Sequence, residues 1–153
     1  MSARIDYTKV APGALRAMYG LEKYLAGGSI ETPLRELIKL RASQINGCAY
    51  CIDMHTKDAR AAGEAEQRLY GLDAWRETPY YSERERAALA WTEALTLIAD
   101  NHVPDALYEQ TRREFSEQEL VDLTLAVVTI NAWNRIAISF RSEPRSYQPG
   151  PRG

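Results

Sequence analysis

The sequence predicts an all-α domain of six to eight helices, on three observations. Six sites combine a helix start or stop residue with an adjoining apolar stripe at spacings of three and four, no segment alternates convincingly with period two, and all seven prolines fall at expected helix starts, in loops or in the tail. At 153 residues the chain fits a single domain, which can bury roughly 70% of the surface its unfolded form exposes.

The elements follow in order. Pro12 suits a first helical position, and Leu15, Met18, Tyr19 and Leu25 come after it before Gly27-Gly28 stops the run. Thr32-Pro33 opens the next helix, with Leu34, Leu37, Ile38 and Ile45 on one face and Gly47 placed to end it near Asn46. A third helix is expected to begin at Cys48 and stop at Gly63, because glycine enters the left-handed conformation that closes a helix without steric cost. A shorter piece runs from about Glu64 to Trp75. Ser82-x-x-Glu85 and Ser116-x-x-Glu119 both match the capping box, in which each side chain satisfies a backbone amide left unpaired by the first turn. The first box precedes Leu89, Trp91, Leu95 and Ile98; the second precedes Leu120, Leu123, Val127, Ile130 and Asn134. Between them Pro104 opens a helix through Leu107, Tyr108 and Phe115. The core is expected to span residues 10–140, and the tail, residues 143–153 with Pro144, Pro149 and Pro151, to be extended or disordered.

Composition excludes several classes. Nineteen Lys plus Arg against twenty-one Asp plus Glu give a net charge of −2, so no basic field attracts a phosphate backbone and nucleic acid is not an expected partner. The apolar run from Leu123 to Ile130 falls short of the ~20 residues a bilayer demands, and no membrane partner is expected. Met1 to Val10 holds no apolar segment of a secretion signal, which places the protein in the cytoplasm. Two cysteines in a chain of this length do not make a disulfide framework; their closeness points to redox or metal chemistry.

That chemistry centres on Cys48-Ala49-Tyr50-Cys51-Ile52-Asp53-Met54-His55. At about 100° per residue, with Cys48 as zero, Cys51 lies near 300°, His55 near 340°, Ala59 near 20° and Ile52 near 40°. Both thiols and the imidazole therefore share one face, and Cys51 and His55 stand four apart, where side chains meet. A helix start leaves amide N–H groups unpaired and carries the positive end of the dipole, so a thiol there is driven towards thiolate, the nucleophilic form. This argument acts at least as strongly on Cys48 as on Cys51. An imidazole with an ordinary pKa of about 6.5 can exchange a proton near neutrality. A rival reading makes Cys48, Cys51 and His55 three zinc ligands, with Glu36 or His102 as a fourth, in a non-catalytic helical protein; the lack of a second Cys or His pair counts against it. Covalent haem attachment requires a histidine where Ile52 stands, and a thioredoxin-type site requires strands.

The run Glu36-x11-Cys48-x2-Cys51-x3-His55 resembles, in identity and spacing, the motif of the AhpD-like alkylhydroperoxidases of the carboxymuconolactone decarboxylase family. The likeness is strongest from Leu34 to Gly63, and the stretches from Ser82 to Trp91 and from Asn131 to Arg135 are also similar. The resemblance implies an AhpD-like helical fold and a thiol-dependent hydroperoxide reductase without a cofactor or metal. In it Cys51 is oxidised to sulfenic acid, Cys48 condenses with it to a disulfide, and Glu36 and His55 relay protons. It also implies a dithiol or thioredoxin-like reductant and a trimeric or hexameric assembly. A general disulfide oxidoreductase with weak peroxidase activity is the neighbouring alternative. Without the resemblance, Glu36 reads as a solvated residue at the edge of its helix's apolar stripe. The resemblance has one departure: AhpD itself has a histidine immediately before its second cysteine, where this chain has Tyr50, and a phenol does not serve as a base at neutral pH. Family members that decarboxylate lactones generally lack the cysteine pair, so that reaction is not expected.

Elsewhere, His102 reads as a surface or capping residue. Asn131, Asn134 and Arg135 interrupt an apolar helix and need partners, either within the core or across a subunit contact. Trp75, Trp91 and Trp133 read as core and rim residues, and Glu83 to Arg86 as a solvated first turn.

Overall fold

The computed structural model describes residues 2–144 and 147–150. Among them the chain is all-helical: α1 (Tyr7–Val10), α2 (Pro12–Ala26), α3 (Thr32–Asn46), α4 (Ala49–Ala61), α5 (Glu66–Tyr70), a 3-10 helix (Leu72–Glu77), α6 (Glu83–Thr96), α7 (Ile98–Asn101), α8 (Asp105–Arg112) and α9 (Glu117–Phe140). Six of these have eight residues or more and match the helices read from sequence; the other four are pieces of one or two turns. The stretch expected from Glu64 to Trp75 divides at Gly71, and Ile98, expected in the helix of Leu89 and Trp91, lies beyond a break at Leu97. Of the predicted tail, residues 145, 146 and 151–153 lie outside the described residues.

Helix α3 is the centre. It packs against α4, α6 and α9, and its two apolar rows feed two clusters. Leu34 and Ile38 join Ile30, Ala88, Trp91, Phe115, Leu123 and Val127, whereas Leu37 and Leu40 join Ala59, Leu69, Leu72, Trp75 and Leu89. A fully buried Leu or Ile contributes about 1.5–3 kcal/mol relative to an exposed one, so these rows dominate the stability of the layer that carries the site.

Helix α9 is long and apolar enough to cross a membrane by length and composition, with mean hydropathy 1.3 in its most apolar stretch. Its packing is that of a core helix with a polar seam. Asn46 donates to Asn131 Oδ1 at 3.0 Å and to Asn134 Oδ1 at 2.8 Å, Asn134 donates to Ser43 Oγ at 3.0 Å, and Asn131 donates to Thr96 Oγ1 at 3.1 Å. These amides brace α3, α6 and α9 inside the subunit, which resolves the choice the sequence left open. Arg135 folds back onto Asn131.

The segment from Glu83 to Arg86 is not the solvated turn expected. Arg84 pairs with Glu31 and Glu119 and stacks on Phe115, Glu85 caps α6 and pairs with Arg68, and Arg86 donates to the carbonyls of Trp75, Arg76 and Thr78. Charge patterning on one helix does not show partners that arrive from other helices.

The turn between α3 and α4 decides where the cysteines go. Gly47 has φ +68°, its N–H reaches Gln44 O at 3.2 Å, and the N–H of Cys48 reaches Ser43 O at 3.0 Å, so the last carbonyls of α3 are satisfied by a left-handed residue and the one after it. Gly63, at φ +92°, closes α4 in the same way. A Cβ on Gly47 meets no atom within 4 Å, so Gly47→Ala suffers only from its backbone conformation. We expect it to lower unfolding stability by about 1–2 kcal/mol in urea titrations, without overpacking the core.

Candidate active site

Cys48 is not the first helical residue, as the sequence reading had it, but the N-cap of α4. Its backbone is extended, its Sγ accepts from the Cys51 amide at 3.3 Å and its carbonyl accepts from Ile52 at 2.9 Å. One residue thus closes α3 and opens α4. Cys48 and Cys51 are joined in a disulfide with Cα atoms 5.3 Å apart, and both are buried. The unpaired amides and dipole of the thirteen-residue α4 act on both sulfurs.

His55 follows Cys51 by one turn and is only 4% exposed. Its Nδ1 lies 2.9 Å from Glu36 Oε2 on α3. An ionised carboxylate only accepts, so Nδ1 carries the proton and Nε2 is the position left for exchange. Nε2 is buried and has no hydrogen-bond partner among the described residues. Glu36 is therefore not the solvated residue its own helix implies. Burial pushes its carboxyl up, but the hydrogen bond from His55 and the charges of His55, Lys39 and Arg35 outweigh that and hold it below the ordinary 4.5.

Cys51 and His55 open onto a cavity of about 340 Å³, whose walls include Tyr7, Tyr19, Tyr50 and Trp133. A buried charge network continues from the relay pair. Lys39 lies 3.7 Å from Glu36 Oε1 and donates to Glu22 at 3.1 Å, and Trp133 Nε1 donates to the other oxygen of Glu22 at 3.0 Å. Tyr147, from the tail, also lines the cavity, donating to Asp58 Oδ1 at 2.6 Å while its carbonyl accepts from Lys57 at 3.1 Å. Burial raises the Tyr147 phenol, and the Asp58 carboxylate raises it further. Burial also raises Tyr50, with neighbouring tyrosines and Asp53 adding to it, so its phenol is neutral at physiological pH.

The structure therefore brings together all four residues singled out from sequence, Cys48, Cys51, His55 and Glu36. Of the two candidates for a fourth zinc ligand, His102 is an exposed C-cap of α7, and the two sulfurs are bonded to each other. Among the described residues Glu36, His55 and Asp58 have ligand atoms within 4.8 Å of one another, but Glu36 and Asp58 already accept from His55 and Tyr147. Sequence reasoning missed Glu22, Lys39, Trp133, Asp58 and Tyr147. Lys39 and Asp58 carried a local signal, being three residues beyond Glu36 and His55 on their respective helices.

The fold and the site define a helical Cys-x-x-Cys protein with a buried Glu–His pair. The carboxymuconolactone decarboxylase family model matches residues 12–94, more than half of the chain, and the protein belongs to that family, in its AhpD-like form. The chain is 49% identical to the uncharacterized protein YdfG of Bacillus subtilis (strain 168), over 95% of this chain and 99% of that one. It superposes with TM-score 0.92 on a protein of unknown function from Agrobacterium tumefaciens, for which a role as the antioxidant defence protein AhpD has been suggested. That pair is 46% identical and covers 95% of this chain and all of the other. The debrominase Bmp8 shares the fold, at TM-score 0.81 and 22% identity over 91% of this chain and 75% of its own.

The depressed Glu36 pKa has a pH consequence. A carboxyl held below its ordinary value contributes stability that is fully present above that value and is lost as pH falls through the folded-state pKa. Unfolding free energy measured from neutrality downwards should therefore fall below about pH 4.5. The fall should be shallower in Glu36→Gln, provided the disulfide is intact in both proteins.

Proposed function

We propose that the protein is a thiol-dependent hydroperoxide reductase whose Cys pair cycles between dithiol and disulfide. The observation that carries this reading is His55: its Nδ1 is held by Glu36, while its Nε2, buried and without a partner among the described residues, belongs to a residue that lines one cavity with Cys51. A buried unpaired nitrogen costs about 1–3 kcal/mol, and the Cys51 thiol, four residues earlier on the same helix, is the group positioned to use it in the reduced protein.

This arrangement also separates the cysteines. The helix start favours either thiolate by about 0.3–1 kcal/mol. An imidazolium roughly 5–6 Å away contributes about 3 kcal/mol at an effective dielectric of 20, and at four residues it serves Cys51. Cys51 thiolate attacks the terminal oxygen of the hydroperoxide, the O–O bond breaks, Cys51 becomes a sulfenic acid, and the departing alkoxide takes a proton from His55 Nε2. Cys48 then attacks the Cys51 sulfur, the S–O bond breaks with loss of water, and the disulfide forms. A dithiol or thioredoxin-like reductant returns two electrons. Tyr50 cannot share the proton work, so the rate with simple alkyl hydroperoxides is modest. The retained cysteine pair argues against lactone decarboxylation, and a cytoplasmic setting, where thiols are kept reduced, suits the cycle. A trimer or hexamer would cover the exposed Val121 and Val128 of α9.

In peroxide-consumption assays with a panel of dithiols, metal-free protein should turn over and lose both thiols per chain on peroxide treatment. A protein that keeps both thiols bound to one zinc, without turnover, contradicts this reading. Cys51→Ser should abolish sulfenate trapping, Cys48→Ser should let the sulfenate accumulate, and His55→Ala should slow peroxide consumption by about 100-fold.

A further inference from the structure

The two sulfurs do not open onto the same space. Cys51 lines the 340 Å³ cavity and Cys48 does not, whereas Cys48 lines a second pocket of about 270 Å³ on which Cys51 does not border. The second pocket lies between the start of α4 and the end of α9 and is bounded by Gly47, Ile138, Arg141 and Ser142. Tyr50 and Ala137 line both spaces and pack with the cysteines. The disulfide, Tyr50 and Ala137 thus form a partition with one sulfur on each side.

Thiol–disulfide exchange is an in-line displacement at sulfur, so a nucleophile approaches the atom it attacks from the side opposite the sulfur it expels. An attacker in the cavity can strike only Cys51, and one in the α4–α9 pocket only Cys48. We infer that the two half-reactions use opposite faces of the partition, the oxidant meeting Cys51 in the cavity and the reducing dithiol meeting Cys48 in the pocket beside Ile138 and Arg141. This rests on the cycle proposed above only in that an external dithiol regenerates the enzyme.

The step balances. One thiolate of the dithiol bonds to Cys48 Sγ, the Cys48–Cys51 bond breaks, and Cys51 leaves as a thiolate beside His55, free to accept a proton from Nε2 when that nitrogen carries one or from solvent. The second thiolate of the reductant then attacks its own sulfur held on Cys48, closing a disulfide in the reductant. Cys48 departs as a thiolate, held by the Cys51 amide that its sulfur already accepts from. Two electrons pass to the enzyme, and the dithiol becomes a disulfide. Cys51, the better stabilised thiolate, is the leaving group in the first displacement, which favours attack from the Cys48 side.

Ile138 is exposed, so Ile138→Trp fills the pocket at no cost to the core; Ser142→Trp repeats the test from the other wall. Thr8→Trp, at an exposed position lining the cavity, narrows the opposite side. Two rates are read separately: reduction of the intact disulfide by dithiothreitol, and oxidation of prereduced protein by cumene hydroperoxide. Ile138→Trp and Ser142→Trp should slow reduction at least about tenfold and leave oxidation at the wild-type rate, while Thr8→Trp does the reverse. Normal reduction in both pocket variants, or reduction slowed by Thr8→Trp, overturns the inference. Should cumene hydroperoxide fail to oxidise even the wild-type protein, the peroxidase reading falls, and the reduction arm still decides which face the dithiol uses.

Discussion

The site depends on a single turn of chain in which Cys48 belongs to two helices at once. Its N–H closes α3 through Ser43, and its sulfur and carbonyl open α4 through Cys51 and Ile52. Because Gly47 takes the one left-handed position, no further residue separates the helices, and α4 starts where α3 ends. That economy places Cys51 and His55 against α3 near Glu36, and it aims the amide-rich start of α4 at the disulfide. The core rows of α3 and the amide seam between Asn46, Asn131 and Asn134 hold the same junction from behind.

Around that turn the protein keeps charge in places where burial opposes it. Glu36 and Lys39 are largely buried and face each other, with His55 as a further partner of Glu36 and Glu22 as a further partner of Lys39. A buried pair of this kind is weak support for stability, since desolvation cancels most of the attraction. Its effect is orientation: Glu36 fixes which ring nitrogen of His55 holds the proton, and Trp133 and Lys39 hold the network that positions Glu36. The fold supplies rigid helices for every one of these groups except Tyr147, which comes from the tail and fastens to α4 through Asp58 and Lys57.

Much of this was legible in the residues themselves. Capping boxes at Ser82 and Ser116 and the glycine stops at Gly47 and Gly63 are local chemistry, and helices formed at each. The Cys-x-x-Cys-x-x-x-His spacing is local too, so the cluster of thiols and imidazole could be foreseen, although the cap position of Cys48 could not. Glu36 was a different case: on its own helix it looked solvated, and only likeness to a family raised it. Glu22, Trp133 and Tyr147 reach the cavity from elements far apart in sequence, and the partners of Arg84 and Arg86 likewise come from elsewhere. No periodicity encodes such meetings, because they arise from how helices pack rather than from any one of them.

The claim beneath all of this is that His55, held by Glu36, selects Cys51 as the reactive thiolate. It is tested most directly by the pH dependence of alkylation of Cys51 in reduced Cys48→Ser protein, with and without His55→Ala. The account predicts a thiol that titrates well below the ordinary value of about 8.5 and returns towards it when the imidazole is removed. A Cys51 that titrates near its ordinary value in both proteins would contradict it.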